Sequence, residues 1–228
     1  MPRKNRSGQN AHFAGATRTP ADGARGKYPD RRPSGRGEVR IIGGEWRGRK
    51  VRFPPSGSVR PSPDRVRETL FNWLQFEVAG KRCLDLFAGS GVLGLEALSR
   101  GAREVVFVEL DRESARAIDE TLRAFKCDRG RVEPLDAFAY LSGSASQPFD
   151  IVFLDPPYAE RWLPRACEAL ERGGWLRPDA WIYLEDMATH GEPALPAGWT
   201  LMRSKRAGDV GYHLARRGAP GHQQTKEE

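Results

Sequence analysis

Phe149-Asp150-Ile151-Val152-Phe153-Leu154-Asp155-Pro156-Pro157-Tyr158 is an apolar run closed by a carboxylate, two prolines and an aromatic ring. A short apolar run ended by prolines reads as a buried strand that stops at Asp155. Seventy residues upstream, Asp85-Leu86-Phe87-Ala88-Gly89-Ser90-Gly91 closes another such run. Each is a carboxylate followed by a tight backbone at a strand tip. Strands are also expected at Glu104–Glu109, Arg131–Pro134 and Trp181–Glu185, with the two runs themselves forming Arg82–Phe87 and Phe149–Leu154. Between them, helices are expected at Val92–Ser99, Arg112–Phe125, Ala137–Leu141 and Leu163–Glu171. Trp199–Arg206 and Gly211–Ala215 are close enough to pair antiparallel. Alternating strands and helices predict an α/β fold. Its parallel sheet is covered on both faces and binds ligands at the carboxyl ends of its strands.

The N-terminal part reads differently. Residues 1–37 are rich in Gly, Arg, Pro and Ser, with too little apolar surface to offset the entropy of ordering, and are expected to form a disordered basic tail. Residues 38–80 hold a short hairpin with a basic face, ending in Arg49-Lys50-Val51-Arg52-Phe53, and a helix from Arg65 to Phe76 capped by Asp64. The main domain spans 81–216, and 217–228 are expected to be a flexible tail.

Net charge is +7, unevenly placed. Residues 1–60 hold 15 Lys and Arg against 4 Asp and Glu, and the remainder holds 22 against 26. A positive arm on a near-neutral body suits a polyanion, although a solvated tail would look the same. Cys83, Cys127 and Cys167 are too few and too widely spaced for a disulfide framework or a zinc site, and Cys83 reads as core. No apolar stretch exceeds about six residues, so neither a membrane span nor a signal peptide is expected. A cytoplasmic location fits these features.

The turn after the first strand carries Gly89, Gly91 and Gly94, the spacing of a dinucleotide fingerprint. Taken alone it leaves a nicotinamide enzyme open. Two features point elsewhere. Asp85 stands where a diphosphate would be repelled and a cation welcomed, which suits S-adenosylmethionine, a sulfonium and ammonium without phosphate. Glu109 ends the next strand, where a carboxylate can accept two hydrogen bonds from a ribose diol. Asp111 is the weaker alternative. Asp136 can reach an adenine amino group, with Ala137 offering its N–H, or can simply cap a helix. The cofactor set is thus Asp85, Phe87, Ala88, Gly89, Ser90, Gly91, Glu109, Asp136 and Ala137, with no metal.

Beside it, Asp155, Pro156, Pro157 and Tyr158 suit methyl transfer to an amino nitrogen of a base. Such a nitrogen is a weak nucleophile because its lone pair is delocalised. Asp155 can accept one N–H and the Pro156 carbonyl the other, while rigid prolines hold the bend. Tyr158 can stack on an extruded base, worth roughly 1–3 kcal/mol. A loop that merely follows a strand is the plainer alternative.

Residues 39–215 as a whole resemble a known family. Arg40-Ile41-Ile42-Gly43-Gly44-Glu45-Trp46-Arg47-Gly48-Arg49-Lys50, Arg60-Pro61 and Asp64-Arg65-Val66-Arg67-Glu68-Thr69-Leu70-Phe71-Asn72-Trp73-Leu74, with the motifs above, are similar to the D-type guanine-N2 methyltransferases of bacterial 16S ribosomal RNA. The resemblance implies a Rossmann-like methyltransferase fold. Its sheet is mostly parallel and seven-stranded with a reversed final strand, and it carries the hairpin–helix extension. It implies S-adenosylmethionine as donor, S-adenosylhomocysteine as product, and one guanine of 16S rRNA as acceptor. The small ribosomal subunit or its assembly intermediate is then the partner, met by a monomer. Arg40, Arg47, Arg49, Lys50, Arg52, Arg60 and Arg65 become expected RNA contacts. Arg65 and Arg67, on the first helix with Glu68, can touch RNA or brace the pocket by local ion pairs. Ser62-Pro63 stands where the family tends to have two threonines, a change expected to alter little. An N6-adenine methyltransferase would use the same pocket, and a non-catalytic RNA-binding assembly factor would keep the fold.

Overall fold

The computed structural model describes residues 37–54, 62–157 and 161–218. The two expected tails therefore lie outside the described residues, except at 37 and 217–218, as do Arg60 and Tyr158. The chain runs β1 (Gly37–Arg40), β2 (Lys50–Phe53), α1 (Asp64–Trp73), β3 (Arg82–Asp85), α2 (Val92–Ser99), β4 (Glu104–Val108), α3 (Arg112–Ala124) and β5 (Gly130–Glu133). It continues α4 (Ala137–Leu141), β6 (Phe149–Leu154), α5 (Leu163–Arg172), β7 (Leu176–Met187), β8 (Trp199–Ala207) and β9 (Val210–Arg217). β1 and β2 form the N-terminal hairpin, and the other seven strands form one sheet in the order β5-β4-β3-β6-β7-β9-β8. The first five are mutually parallel, while β9 runs antiparallel to both β7 and β8. This is the Rossmann-like methyltransferase architecture.

Side chains of the central strands alternate between two cores, as a pleated strand covered on both faces must. Cys83, Val105, Phe107, Ile151, Phe153 and Tyr183 pack towards α1, α2 and α3. Leu84, Val106, Val152, Leu154 and Ile182 pack towards α4 and α5. Register then positions the chemistry. Asp85 pairs with Phe153 across β3 and β6, so Asp155 lies two residues past the partner of Asp85. Both carboxylates come to neighbouring strand tips.

Every residue of α2 is buried, because the sheet covers one side and the N-terminal extension the other. Its two polar side chains near the C-terminus anchor that extension. Glu96 accepts from the Ile42 N–H and from Arg67 Nη1, the latter at 3.0 Å. Ser99 Oγ accepts from the Trp46 N–H at 2.9 Å and donates to the Gly43 carbonyl at 2.6 Å. Arg67 is fully buried and also donates to the carbonyls of Ser62 and Arg40. It braces the extension and does not face RNA.

Gly44 has φ +74°, and a Cβ there would stand 2.0 Å from the Ser99 carbonyl oxygen. Gly48 has a similar φ of +81° with open space around it. Gly48→Ala is expected to cost only the left-handed backbone strain, about 1 kcal/mol. Gly44→Ala adds the clash and is expected to cost at least about 2 kcal/mol, lowering the melting temperature by about 4–8 °C. Equal melting temperatures for the two variants would contradict the close seating of Gly44 on α2.

Three expectations need correction. Asp64 does not cap α1: Pro63 occupies the cap position in extended backbone, and Asp64 is already helical, its carboxylate reaching Arg67 at 2.5 Å. That helix ends at Trp73 rather than Phe76, whose side chain finds no core and is 86% exposed. β7 starts five residues before Trp181, because Arg177-Pro178-Asp179, which looks like a turn, forms an irregular stretch of strand after Leu176 pairs with Phe149.

Candidate active site

Both strand-tip motifs line a single cavity of about 1260 Å³ at the carboxyl edge of the sheet. The glycine turn contributes Asp85 through Ser90, β4 ends there with Glu109, and β6 delivers Asp155, Pro156 and Pro157. Asp136 and Ala137 line it as well. Gly91 itself closes the turn behind the wall: it has φ +72°, and a Cβ there would sit 2.8 Å from Ile118. Gly94 packs helix against strand, since a Cβ would reach 2.2 Å from the Phe107 ring. Close packing here brings the Gly94 N–H to Asp85 Oδ2 at 2.9 Å.

The lining holds seven carboxylates (Asp85, Glu109, Asp111, Asp136, Asp155, Glu185 and Asp209) and one guanidinium, Arg112, among the described residues. Such a wall repels phosphate and attracts cations. Burial raises the Asp85 carboxyl to about 7; the Gly94 N–H opposes this and the Glu109 charge adds to it. Burial also raises Glu109, against hydrogen bonds from the Asp111 N–H at 2.8 Å and the Gly89 N–H at 2.6 Å. These two bonds hold its carboxylate across the mouth of the glycine turn. Asp111 is instead committed to α3, accepting from the Ser114 N–H at 2.8 Å, which holds its carboxyl below the usual range. Asp136 Oδ1 caps α4, accepting from the Phe138 and Ala139 N–H groups at 2.9 Å each. The plainer reading of Asp136 is thus observed, at the cavity wall.

Asp155 is raised well above the usual carboxylate range by burial first and by the Glu185 charge second, while a hydrogen bond from Ser62 lowers it and the Asp85 charge raises it. Ser62 Oγ stands 3.1 Å from Asp155 Oδ2. The departure from threonine at this position keeps a hydroxyl, and that hydroxyl orients the central carboxylate. Glu185, two residues before the end of β7, lines the same cavity, is 1% exposed, and accepts from the Tyr183 hydroxyl at 2.7 Å. Neither Ser62 nor Glu185 stood out in the sequence. Trp162 was also missed: it lines the cavity and stacks on Phe87 at 5.9 Å, with Phe138 edge-on at 5.8 Å.

The expected RNA contacts are less uniform than the sequence implies. Arg40, Arg47, Arg49, Lys50, Arg52 and Arg65 are all exposed. Glu38 pairs with Lys50 at 2.7 Å and approaches Arg52 at 3.7 Å. Arg49 lies 3.6 Å over the Phe125 ring and donates to the Ala124 carbonyl, tying the hairpin to the end of α3. No group of three or more His, Cys, Asp or Glu with metal-binding geometry occurs among the described residues. No described helix is long and apolar enough to cross a membrane.

Residues 39–216 match the profile of the family described as Conserved hypothetical protein 95. The chain is 46% identical over 188 residues to the Ribosomal RNA small subunit methyltransferase D of Escherichia coli, covering 82% of this chain and 94% of that one. Identity to the Haemophilus influenzae protein of the same name is 44% over 186 residues, covering 80% and 95%. An Escherichia coli structure described as a methyltransferase superposes with a TM-score of 0.75 at 45% identity, covering 80% of this chain and 99% of that one. A Thermus thermophilus hypothetical protein gives 0.63 at 33% identity, over 77% and 98%. With the cavity, its glycine turn and its Asp-Pro-Pro tip placed on this sheet, the chain belongs to the family of the small-subunit ribosomal RNA methyltransferases D.

Proposed function

We propose that this protein transfers a methyl group from S-adenosylmethionine to the exocyclic N2 amine of a guanine in 16S rRNA, releasing S-adenosylhomocysteine. The observation that carries the reading is the shared cavity, in which a carboxylate-rich cofactor wall meets Asp155 and Pro156. Its volume exceeds that of an ordinary small-molecule pocket, leaving room for a nucleoside cofactor and a base side by side. Seven acids against one cation suit a ligand with two positive centres and no phosphate. Glu109 would take the ribose hydroxyls, Asp85 the ammonium group, and Asp136 with the Ala137 N–H the adenine edge.

Bound there, S-adenosylmethionine supplies an electrophilic methyl group. The chain's own residues position the acceptor. Asp155, oriented by Ser62, accepts one N–H of the guanine amine, and the Pro156 carbonyl accepts the other. Drawing both hydrogens to one side exposes the nitrogen lone pair to the cofactor wall. Much of the catalysis is therefore positioning. In its ionised form Asp155, whose proton affinity burial and Glu185 raise, can also take the proton shed by the amine. Tyr158 and Pro157 would bracket the base, and the exposed cations of the hairpin would hold flanking phosphates. The partner is the small ribosomal particle or an assembly intermediate, approached by a monomeric enzyme.

Small ribosomal particles from cells lacking this chain, incubated with the protein and labelled donor, should yield labelled N2-methylguanosine after nucleoside digestion and mass spectrometry. Labelled N6-methyladenosine would transfer the reading to adenine, and absence of label would overturn it. Glu109→Ala is expected to weaken S-adenosylmethionine binding by about 10- to 100-fold, the worth of charge-assisted hydrogen bonds. An unchanged dissociation constant by calorimetry would move the ribose contact elsewhere.

A further inference from the structure

Strand β8 carries Arg203, Ser204, Lys205 and Arg206 in a row, all exposed, with no acid between Trp199 and Ala207. Among the described residues none of these three cations forms an ion pair. Arg203 Nη1 donates to its neighbour's carbonyl at Met202, 3.0 Å away, and Arg206 Nε to the Gly208 carbonyl at 2.7 Å. Lys205 Nζ lies 6.0 Å over the Trp73 ring, which itself stacks on Tyr212 at 5.5 Å. Several cations elsewhere are compensated, among them Lys50 by Glu38, Arg82 by Glu104, Arg131 by Glu133 and Arg217 by Glu171. β8 is thus a run of bare positive charge in a part of the chain whose net charge is negative.

Its place in the fold gives that charge a direction. β8 is the outer strand of the sheet, paired on one side only, to β9. Its C-terminal end leads into the turn that contributes Asp209 and Val210 to the cavity. Arg206 is therefore nearest the mouth, and Arg203 lies about 10 Å further along the edge. A base lifted into the cavity leaves its neighbouring nucleotides outside, and the acid-rich lining disfavours entry of their phosphates. Those phosphates need cations at the rim.

We propose that the β8 edge receives the sugar–phosphate backbone of the RNA strand beside the target nucleotide, as a second contact surface besides the N-terminal hairpin. The proposal rests on the rRNA reading above. Charge on an outer strand also discourages edge-to-edge pairing, but charge of either sign serves that end. Inverting the charge therefore separates the two roles.

The test uses the full chain with Arg203, Lys205 and Arg206 replaced together by Gln, and separately by Glu. S-adenosylmethionine affinity and the melting temperature are expected to stay close to wild type in both. The Gln triple should weaken binding to small ribosomal particles, and raise KM for them, about tenfold or more at low salt. It should also reduce the slope of log affinity against log salt by about 2, as expected for three contacts to a single strand. The Glu triple should bind more weakly still while remaining unaggregated. Wild-type RNA affinity and salt slope in both triples would overturn the proposal. So would a Glu triple that binds normally beside a Gln triple that only aggregates. A wild-type protein that binds these particles through β8 yet transfers no methyl would instead sink the enzymatic reading and leave this surface standing.

Discussion

Asp155→Ala is expected to lower kcat by about 10³-fold or more while S-adenosylmethionine still binds within about threefold of wild type. The size follows from two functions lost together: the acceptor that aligns the amine and the base that takes its proton, each of a kind worth roughly 10²–10⁴-fold. Donor binding should be spared because the proposed role of Asp155 is towards the base; its hydrogen-bond donor is Ser62. Asp155→Asn sharpens the test. The side-chain carbonyl can still accept from Ser62, while the NH2 group in place of the other oxygen carries no charge and cannot accept the amine N–H. Stability should move the other way. Burial and Glu185 raise the Asp155 carboxyl, so the folded protein binds this proton more tightly than the unfolded chain. Its stabilising contribution is full below the unfolded value of 3.8 and is lost as pH climbs through the raised folded value. Asn escapes that loss. Asp155→Asn should therefore melt above wild type at pH 8, nearly with it at pH 4, and remain a poor catalyst throughout. Residual kcat within tenfold of wild type would remove Asp155 from the chemistry.

The parts of this site that were legible in the sequence are those encoded over a few neighbouring residues. A buried strand announces itself by four to six apolar residues, and a strand tip by the acid and the Gly or Pro that follow. Hence β3, β4, β6 and the cavity wall from Asp85 to Asp155 could be placed from periodicity and turn chemistry. Ser62 could not. Its bond to Asp155 joins residues 93 apart, and nothing local to Ser62-Pro63 signals a partner on another strand. Glu185 was hidden for a similar reason: it closes an expected strand with no glycine or proline turn after it to mark a strand tip, and only the fold shows it buried beside Tyr183 in the cavity. Arg67 reads as one of several helix-surface cations, and only the packing of α1 on α2 reveals that Glu96 has drawn it inside.

Charge bookkeeping is incomplete in a related way. Dividing the chain by net charge credits the N-terminal quarter with the basic surface. Within the described part of that quarter, Glu38 takes up Lys50 and approaches Arg52. In the second part, acids outnumber bases, yet those acids concentrate in the cavity and in surface ion pairs. β8 is left bare. What decides an electrostatic surface is which charges find partners, and that is a property of the fold.

The second large effect expected is a pH dependence of donor binding that runs through Asp85. With its carboxyl raised to about 7, much of Asp85 is protonated in the ligand-free protein at neutral pH. A cationic ammonium group favours the ionised form, so binding should expel a proton below about pH 7. Wild-type affinity for S-adenosylmethionine is then expected to be level above pH 8 and to weaken by about tenfold per unit below pH 7. Calorimetry in buffers of different ionisation enthalpy should register close to one proton released at pH 6 and almost none at pH 8.5. Asp85→Asn keeps an acceptor for the Gly94 N–H but carries no charge. It should bind the donor about 100-fold more weakly at pH 8 and largely lose the pH dependence between 6 and 8. The sign of its stability effect is also determined. Asp85 stabilises the empty fold below its unfolded value of 3.8, and that contribution drains away as pH rises to about 7. Asp85→Asn should accordingly raise the melting temperature of the ligand-free protein at pH 8 and narrow the further gain on adding donor. A wild-type affinity that stays constant from pH 6 to pH 8 would show that no buried carboxyl in this cavity changes its protonation on binding, and the ammonium contact would have to be assigned elsewhere.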